Sequence, residues 1–247
     1  MLLEHKNALI TGAARGIGKA ALRVFTREGA NVWAFARTPS EAFEDYCREL
    51  EAAHGVWVKP VYCELTSPEA RKAAFSIVMG DKLPLDVLVN NAGIMGEDKL
   101  FQMTAEEEMR GIFDVNFFAL LEVCRFCTRL MARRKSGAVV NISSVAGLDG
   151  DSRIDYSASK AAVIAATQKL AREMAPLGIR VNALAPGYTN TDLVAGLSGK
   201  IVQETTAKIL LGRAAEPEEI ANVAAFLGSD LASYVTGQTW RADGGIV

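Results

Sequence analysis

Short apolar runs alternate with amphipathic stretches along almost the whole chain. NALIT (7–11), NVWAFA (31–36), VWVKPVYC (56–63), LDVLVN (85–90), AVVNIS (138–143), IRVNALA (179–185) and QTWRA (238–242) read as strands. Most are continuously apolar rather than alternating, the mark of strands covered on both faces of a parallel sheet. Helical patterns fill the gaps: Ile17 to Glu28, EAFEDYCRELEAA, and a segment opened by Ser67-Pro68 with proline at its first turn. A longer one runs from Ala105 to about Lys135; Thr104 and Glu107 have the spacing of a capping box at its start, and Gly137 is placed to close it. One more helix runs through Tyr156 and Lys160, and Pro217 opens a last one ending near Gly228. This alternation predicts an α/β fold, a Rossmann-like doubly wound parallel sheet with helices on both faces, as a single domain over 1–247. Such sheets bind ligands beyond the carboxyl ends of their strands, where the strand order reverses.

Composition fits this picture and narrows the partners. Of 247 residues, 50% are hydrophobic and 23% charged, enough apolar material for a large core. Lys and Arg total 27 against 29 Asp and Glu, a net charge of -2, which gives no broad electrostatic footprint for nucleic acid or an anionic membrane. No apolar run has the length of a signal peptide's core or a membrane span, so a cytoplasmic protein is expected. Cys124 and Cys127 form a CxxC, but within the apolar helical run FFALLEVCRFCTRLM and with no second pair to complete a zinc site. Free thiols and no metal are expected.

Candidate chemistry begins where the first strand runs into TGAARGIG (11–18). Gly12, Gly16 and Gly18 let the backbone turn tightly and approach a pyrophosphate resting on a helix N-terminus. The spacing is GxxxGxG rather than the common GxGxxG. An NAD site usually places Asp or Glu about 20 residues on, to hold the ribose 2′-hydroxyl. Here the second strand ends in Ala36-Arg37-Thr38. Arg37, with Arg15 in the glycine loop, favours the 2′-phosphate of NADP(H); the alternative is a solvated surface arginine. Further on, Tyr156 and Lys160 are four apart on one helical face. An ammonium near a phenol favours the phenolate, so this pair is either a proton-transfer acid with its tuner or two ordinary surface side chains.

TGAARGIG, NNAG (90–93), NISS (141–144), YSASK (156–160) and PGYTNT (186–191), in this order, resemble the short-chain dehydrogenase/reductase family over essentially the whole chain, and most of all its bacterial 3-oxoacyl-acyl-carrier-protein reductases. The resemblance implies a catalytic set of Asn116, Ser144, Tyr156 and Lys160, with Tyr156 as acid/base, Lys160 as its partner, Ser144 as carbonyl-binding hydroxyl and Asn116 as the fourth member. Asn116 lies in DVNFF on the long helix, where a buried amide needs partners, and a water relay to Lys160 would provide them. Ser143 would be structural. It implies cofactor contacts from Gly12, Ala14, Arg15, Gly16, Ile17 and Gly18, then Arg37 and Thr38, and Glu64 and Leu65 flanking the adenine. Asn91, Ala92 and Gly93 would follow, with Tyr156 and Lys160 themselves, Pro186, Gly187, Thr189 and Thr191. It also implies a substrate lid over about 192–212 and a homotetramer built on the Ala105–Lys135 and Tyr156 helices, with a second interface from about 217–242.

The substrate is less defined. A 3-oxoacyl thioester is the leading reading, and a possible acyl carrier protein partner would meet the basic cluster Arg133, Arg134 and Lys135. Against docking stand Leu177, where relatives often carry a basic residue, and the acidic loop with Asp149, Asp151 and Asp155, whose alternative reading is a plainly solvated loop. Another ketone or alcohol, such as a sugar or cyclic ketone, and a non-catalytic NADP-binding sensor are the alternatives.

Overall fold

The structure is a computed structural model describing residues 1–97, 99–191 and 199–246, the backbone only for 199–201. Seven parallel strands form one sheet: β1 (Asn7–Thr11), β2 (Asn31–Ala36), β3 (Val58–Tyr62), β4 (Val87–Asn90), β5 (Gly137–Ile142), β6 (Ile179–Pro186) and β7 (Thr239–Ala242). Their spatial order is β3-β2-β1-β4-β5-β6-β7. The chain therefore winds one way from β1 to β3 and the other way from β4, and the reversal falls between β1 and β4. Pro60 lacks an N–H for the ladder, and β3 is an edge strand, where proline is tolerated.

The helices are α1 (Gly16–Arg27), α2 (Glu41–His54), α3 (Pro68–Gly80), α4 (Glu106–Phe113), α5 (Leu120–Ala132), α6 (Ala146–Asp149), α7 (Ile154–Met174), α8 (Gly199–Ala207) and α9 (Pro217–Gly228). One face of the sheet packs Phe25 of α1, Phe43 of α2 and Ile220 of α9 against β1, β2 and β4. The other packs Phe75 of α3, Cys124 and Met131 of α5 and Val163 of α7 against Trp33, Leu88 and Val139. Each such fully buried large side chain contributes roughly 1.5–3 kcal/mol. None of the described helices is long and apolar enough to cross a membrane.

Two sequence expectations fail at the long helix. Thr104 does not cap it: its hydroxyl donates to the Leu100 carbonyl at 3.2 Å behind a 3-10 turn (Phe101–Met103), and Ala105 takes the cap position. Three glutamates, Glu106–Glu108, supply negative charge to the first turn instead. Gly137 does not close the helix either. Lys135 takes the left-handed conformation (φ 51°), and Gly137 opens β5, where a Cβ would stand 2.5 Å from the Met131 sulfur. Between α4 and α5 the helix also widens into a π segment, Asp114–Ala119. The expected Pro68 and Pro217 starts hold, and Ser67 caps α3 by accepting from the Ala70 N–H at 3.1 Å.

Candidate active site

The carboxyl ends of β1, β4 and β5 are joined below the cleft by buried polar side chains. Thr11, 1% exposed, ends β1, and its hydroxyl accepts both the Asn91 and Ala92 N–H groups at 3.0 Å. The Asn91 amide returns the link, donating to the Thr11 and Gly12 carbonyls at 3.1 and 3.2 Å. Gly12 and Gly16 have φ of 66° and 53°, a region open to glycine but strained for other residues. A Cβ at Gly18 would stand 2.1 Å from the Gly12 oxygen. The glycine loop is thus folded tightly against NNAG, with α1 starting at Gly16 and Arg15 at its cap position. Thr191 packs across from Gly16, its methyl 3.5 Å from where a Cβ would be.

Arg37 and Thr38 are exposed just past β2, the strand beside β1. Glu64 and Leu65 follow β3; the Glu64 carboxylate turns back to accept from the Thr66 hydroxyl at 3.0 Å. Gly187 follows β6 directly and donates to the Ala242 carbonyl at 3.0 Å, and Asp243 fills the space a Cβ at Gly187 would need. Thr189, 5% exposed, donates to the Gly187 carbonyl at 3.0 Å.

On the other side, α7 carries Tyr156 and Lys160 in its first two turns. Lys160 is 4% exposed; its ammonium donates to the Ile142 carbonyl at the end of β5 (2.9 Å) and lies 5.8 Å from the centre of the Tyr156 ring. Ser144, just beyond β5, stands beside the Tyr156 phenol, and its hydroxyl accepts from the Ala146 N–H at 3.2 Å. Ser143 instead donates inward to the Lys160 carbonyl at 2.8 Å, a buried tie between β5 and α7. A second buried tie runs from Asn90 to Asn141 (3.0 Å) and from Asn141 to Thr167 of α7 (2.9 Å).

Asn116 lies on the π segment and is fully buried. Its amide accepts the Ile94 N–H, donates to the Ile94 carbonyl (both 2.8 Å) and donates to the Ser159 hydroxyl at 3.1 Å. The side chain is thus satisfied by Ile94 and Ser159, and the sequence argument that it needs a water relay for partners does not hold. Ser159 passes the link on to the Tyr156 carbonyl at 2.7 Å. A Cβ on Gly93 would stand 3.2 Å from the Asn116 amide oxygen and 3.4 Å from the Lys160 ammonium, so a bare glycine keeps this corner open.

Burial dominates the electrostatics of the pair. Burial pushes the Tyr156 phenol above its ordinary value of 10.0, and the neighbouring Ser144 hydroxyl opposes it in part. Burial also lowers Lys160 from 10.5 to about 8. In this arrangement desolvation sets the direction of both shifts. Two of the three loop aspartates are paired with arginines. Arg241 holds Asp149 through paired bonds of 2.9 and 2.7 Å, and Arg153 holds Asp155 through bonds of 3.0 and 2.7 Å. Thr11, Ser159 and the Arg153–Asp155 pair are additions from the structure; Thr11 opens TGAARGIG and Ser159 sits inside YSASK, so their only sequence signal is adjacency to the motifs. All four cysteines are buried free thiols, and among the described residues no group of His, Cys, Asp or Glu could hold a metal. The expected lid falls partly outside the described residues: 192–198 are not described, and α8 covers Gly199–Ala207.

A doubly wound sheet with a glycine loop at its reversal point, facing a tyrosine, serine and lysine, defines an oxidoreductase acting on CH–OH and C=O groups. The chain belongs to the short-chain dehydrogenase/reductase family. The matching family model, described as enoyl-(acyl carrier protein) reductase, spans residues 12–247. The chain is 40% identical to the 3-oxoacyl-[acyl-carrier-protein] reductase of Thermotoga maritima over 248 residues, covering 100% of both chains. It is 37% identical to that of Chlamydia muridarum over 246 residues, covering 99% of this chain and 98% of the relative. A crystal structure of a 3-oxoacyl-[acyl-carrier protein] reductase with bound NAD from Brucella melitensis matches with a TM-score of 0.91 at 34% identity, covering 99% of this chain and 92% of that one.

Proposed function

We propose that this chain uses NADPH to reduce the ketone of a 3-oxoacyl thioester. The observation that carries the reading is the Tyr156 phenol beside Ser144, with the buried Lys160 ammonium 5.8 Å from its ring centre and Gly93 leaving that corner open. Bound NADPH supplies a hydride for the carbonyl carbon. Ser144 donates to the carbonyl oxygen, and Tyr156 delivers the proton that completes the alcohol. A phenol held protonated by burial is ready as an acid throughout the neutral range, which suits reduction. Asn116 fixes the first turns of α7 through Ser159, so that phenol and hydroxyl share one target.

The cofactor's phosphates would rest on the backbone of Gly12–Gly18 at the start of α1. Arg37 and Arg15 would take the 2′-phosphate, there being no carboxylate at the end of β2 to repel it. Glu64 and Leu65 would flank the adenine, Asn91–Gly93 the adenosine side, Lys160 the nicotinamide ribose, and Thr189 and Thr191 the carboxamide. The names of the relatives favour an acyl-carrier-protein thioester. Neutralisation of Asp149 and Asp155 weakens the electrostatic argument against an acidic partner, and Arg133 and Lys135 stand exposed for it. Ala158, Ala161 and Ala165 form an exposed stripe on α7, and Phe118 beside it is 55% exposed, in keeping with a two-fold helix pairing toward a homotetramer. A cytoplasmic location accords with this chemistry.

A panel of acyl thioesters, sugars and cyclic ketones, followed by NADPH absorbance, tests the reading. Highest kcat/KM is expected on a 3-oxoacyl thioester, with NADPH at least tenfold better than NADH and Arg37→Asp narrowing that ratio. Equal use of both cofactors, or turnover confined to sugars, would overturn it.

A further inference from the structure

Arg153 has no part in the chemistry above, yet its side chain is only 5% exposed, and that of Asp155 only 1%. The guanidinium clasps the Asp155 carboxylate with two bonds, Nε to Oδ1 at 3.0 Å and Nη2 to Oδ2 at 2.7 Å. The same Oδ1 accepts the N–H of Tyr156 at 2.8 Å. Arg153 thus grips the carboxylate that holds the backbone of the catalytic tyrosine. Its flat head lies in a pocket built from two other segments. A Cβ at Gly96, just past NNAG, would stand 3.4 Å from the guanidinium carbon, and Glu108 of α4 comes within 4.0 Å of Nη2. Lys99 draws Glu108 the other way at 2.9 Å, which leaves Asp155 as the nearer carboxylate for Arg153. Arg153 also occupies the cap position of α7, and its carbonyl accepts from Ser157 at 2.8 Å.

From this arrangement we infer that Arg153 is a positioning residue for catalysis: through Asp155 it fixes where the Tyr156 phenol stands against the substrate oxygen. The inference rests on the reading of Tyr156 as the proton donor. The physical reason is the cost of an unpaired buried carboxylate. Without the guanidinium, Asp155 must turn toward water or take up a proton, and either change loosens its hold on the Tyr156 N–H in the first turn of α7. A small displacement of a reacting group is enough to cost a large factor in rate. Lys160 sits a turn further on and is anchored separately to Ile142, and the glycine loop lies on other strands, so cofactor binding should be spared.

The test compares wild type, Arg153→Met, Arg153→Met/Asp155→Asn and Tyr156→Phe, each checked for folding by circular dichroism. For the ketone substrate giving the highest turnover, Arg153→Met should lower kcat at least tenfold, with substrate KM and the NADPH dissociation constant within about twofold of wild type. The double variant, which removes the orphaned charge but keeps an acceptor for the Tyr156 N–H, should recover most of kcat. Wild-type kcat in Arg153→Met overturns the inference, as does a loss the double variant does not repair or one shared equally by cofactor affinity. If Arg153→Met does not fold, the double variant decides alone: kcat within about threefold of wild type supports the positioning role, and a larger loss at unchanged NADPH affinity contradicts it. Full turnover by Tyr156→Phe would instead refute the reading of the site.

Discussion

The two halves of the cleft are built from different materials. On the side of β1 to β4 the site is mostly backbone: glycines in left-handed turns, and N–H and carbonyl groups stitched together by Thr11 and Asn91. On the side of β5 to β7 it is side chains: a phenol, a hydroxyl and an ammonium whose properties come from burial. The first half is sensitive to volume and the second to charge, which gives each half its own way to fail.

Adding one methyl to the first half should do the most damage to the fold. Gly18→Ala would force a Cβ to within 2.1 Å of the Gly12 oxygen and 2.5 Å of the Asn91 amide, so the loop must part from NNAG. A stability loss of about 3–5 kcal/mol is expected, with NADPH affinity falling far more than the environment of Tyr156 changes. A urea melt and a fluorescence titration on the variant check both; a wild-type melt would contradict the packing described.

Removing a charge from the second half should have the opposite sign. The folded state lowers Lys160 from 10.5 to about 8, so holding its ammonium costs stability in full below about pH 8, and the cost is gone above pH 10.5. Lys160→Met should therefore abolish turnover yet stabilise the fold at pH 7, by up to about 3 kcal/mol, with the advantage fading as the pH rises through that window. A lower melting temperature at pH 7 would mean that the bond to Ile142 outweighs desolvation.

The same division decides what the sequence reveals. Strands buried on both faces are written as apolar runs, and the glycine loop is a local motif, so β1 to β7 and residues 11–18 were legible. The π segment was not, because its extra residue accompanies the tie between Asn116 and Ile94, 22 positions away. Nor was the balance of the rim: Asp149 is neutralised by Arg241, 92 positions on, and nothing near Asp149 announces it. The upward shift of Tyr156 is hidden for the same reason: its lysine neighbour is visible in YSASK, whereas the burial that raises the phenol is a property of the assembled cleft.

The central claim is that Tyr156 supplies the proton and does little else, and Tyr156→Phe tests it most directly. With turnover and NADPH affinity measured on one folded sample, the variant should lose about 10³-fold in kcat for ketone reduction and bind NADPH within a few-fold of wild type. Turnover within tenfold of wild type would remove the tyrosine from the chemistry and contradict the account.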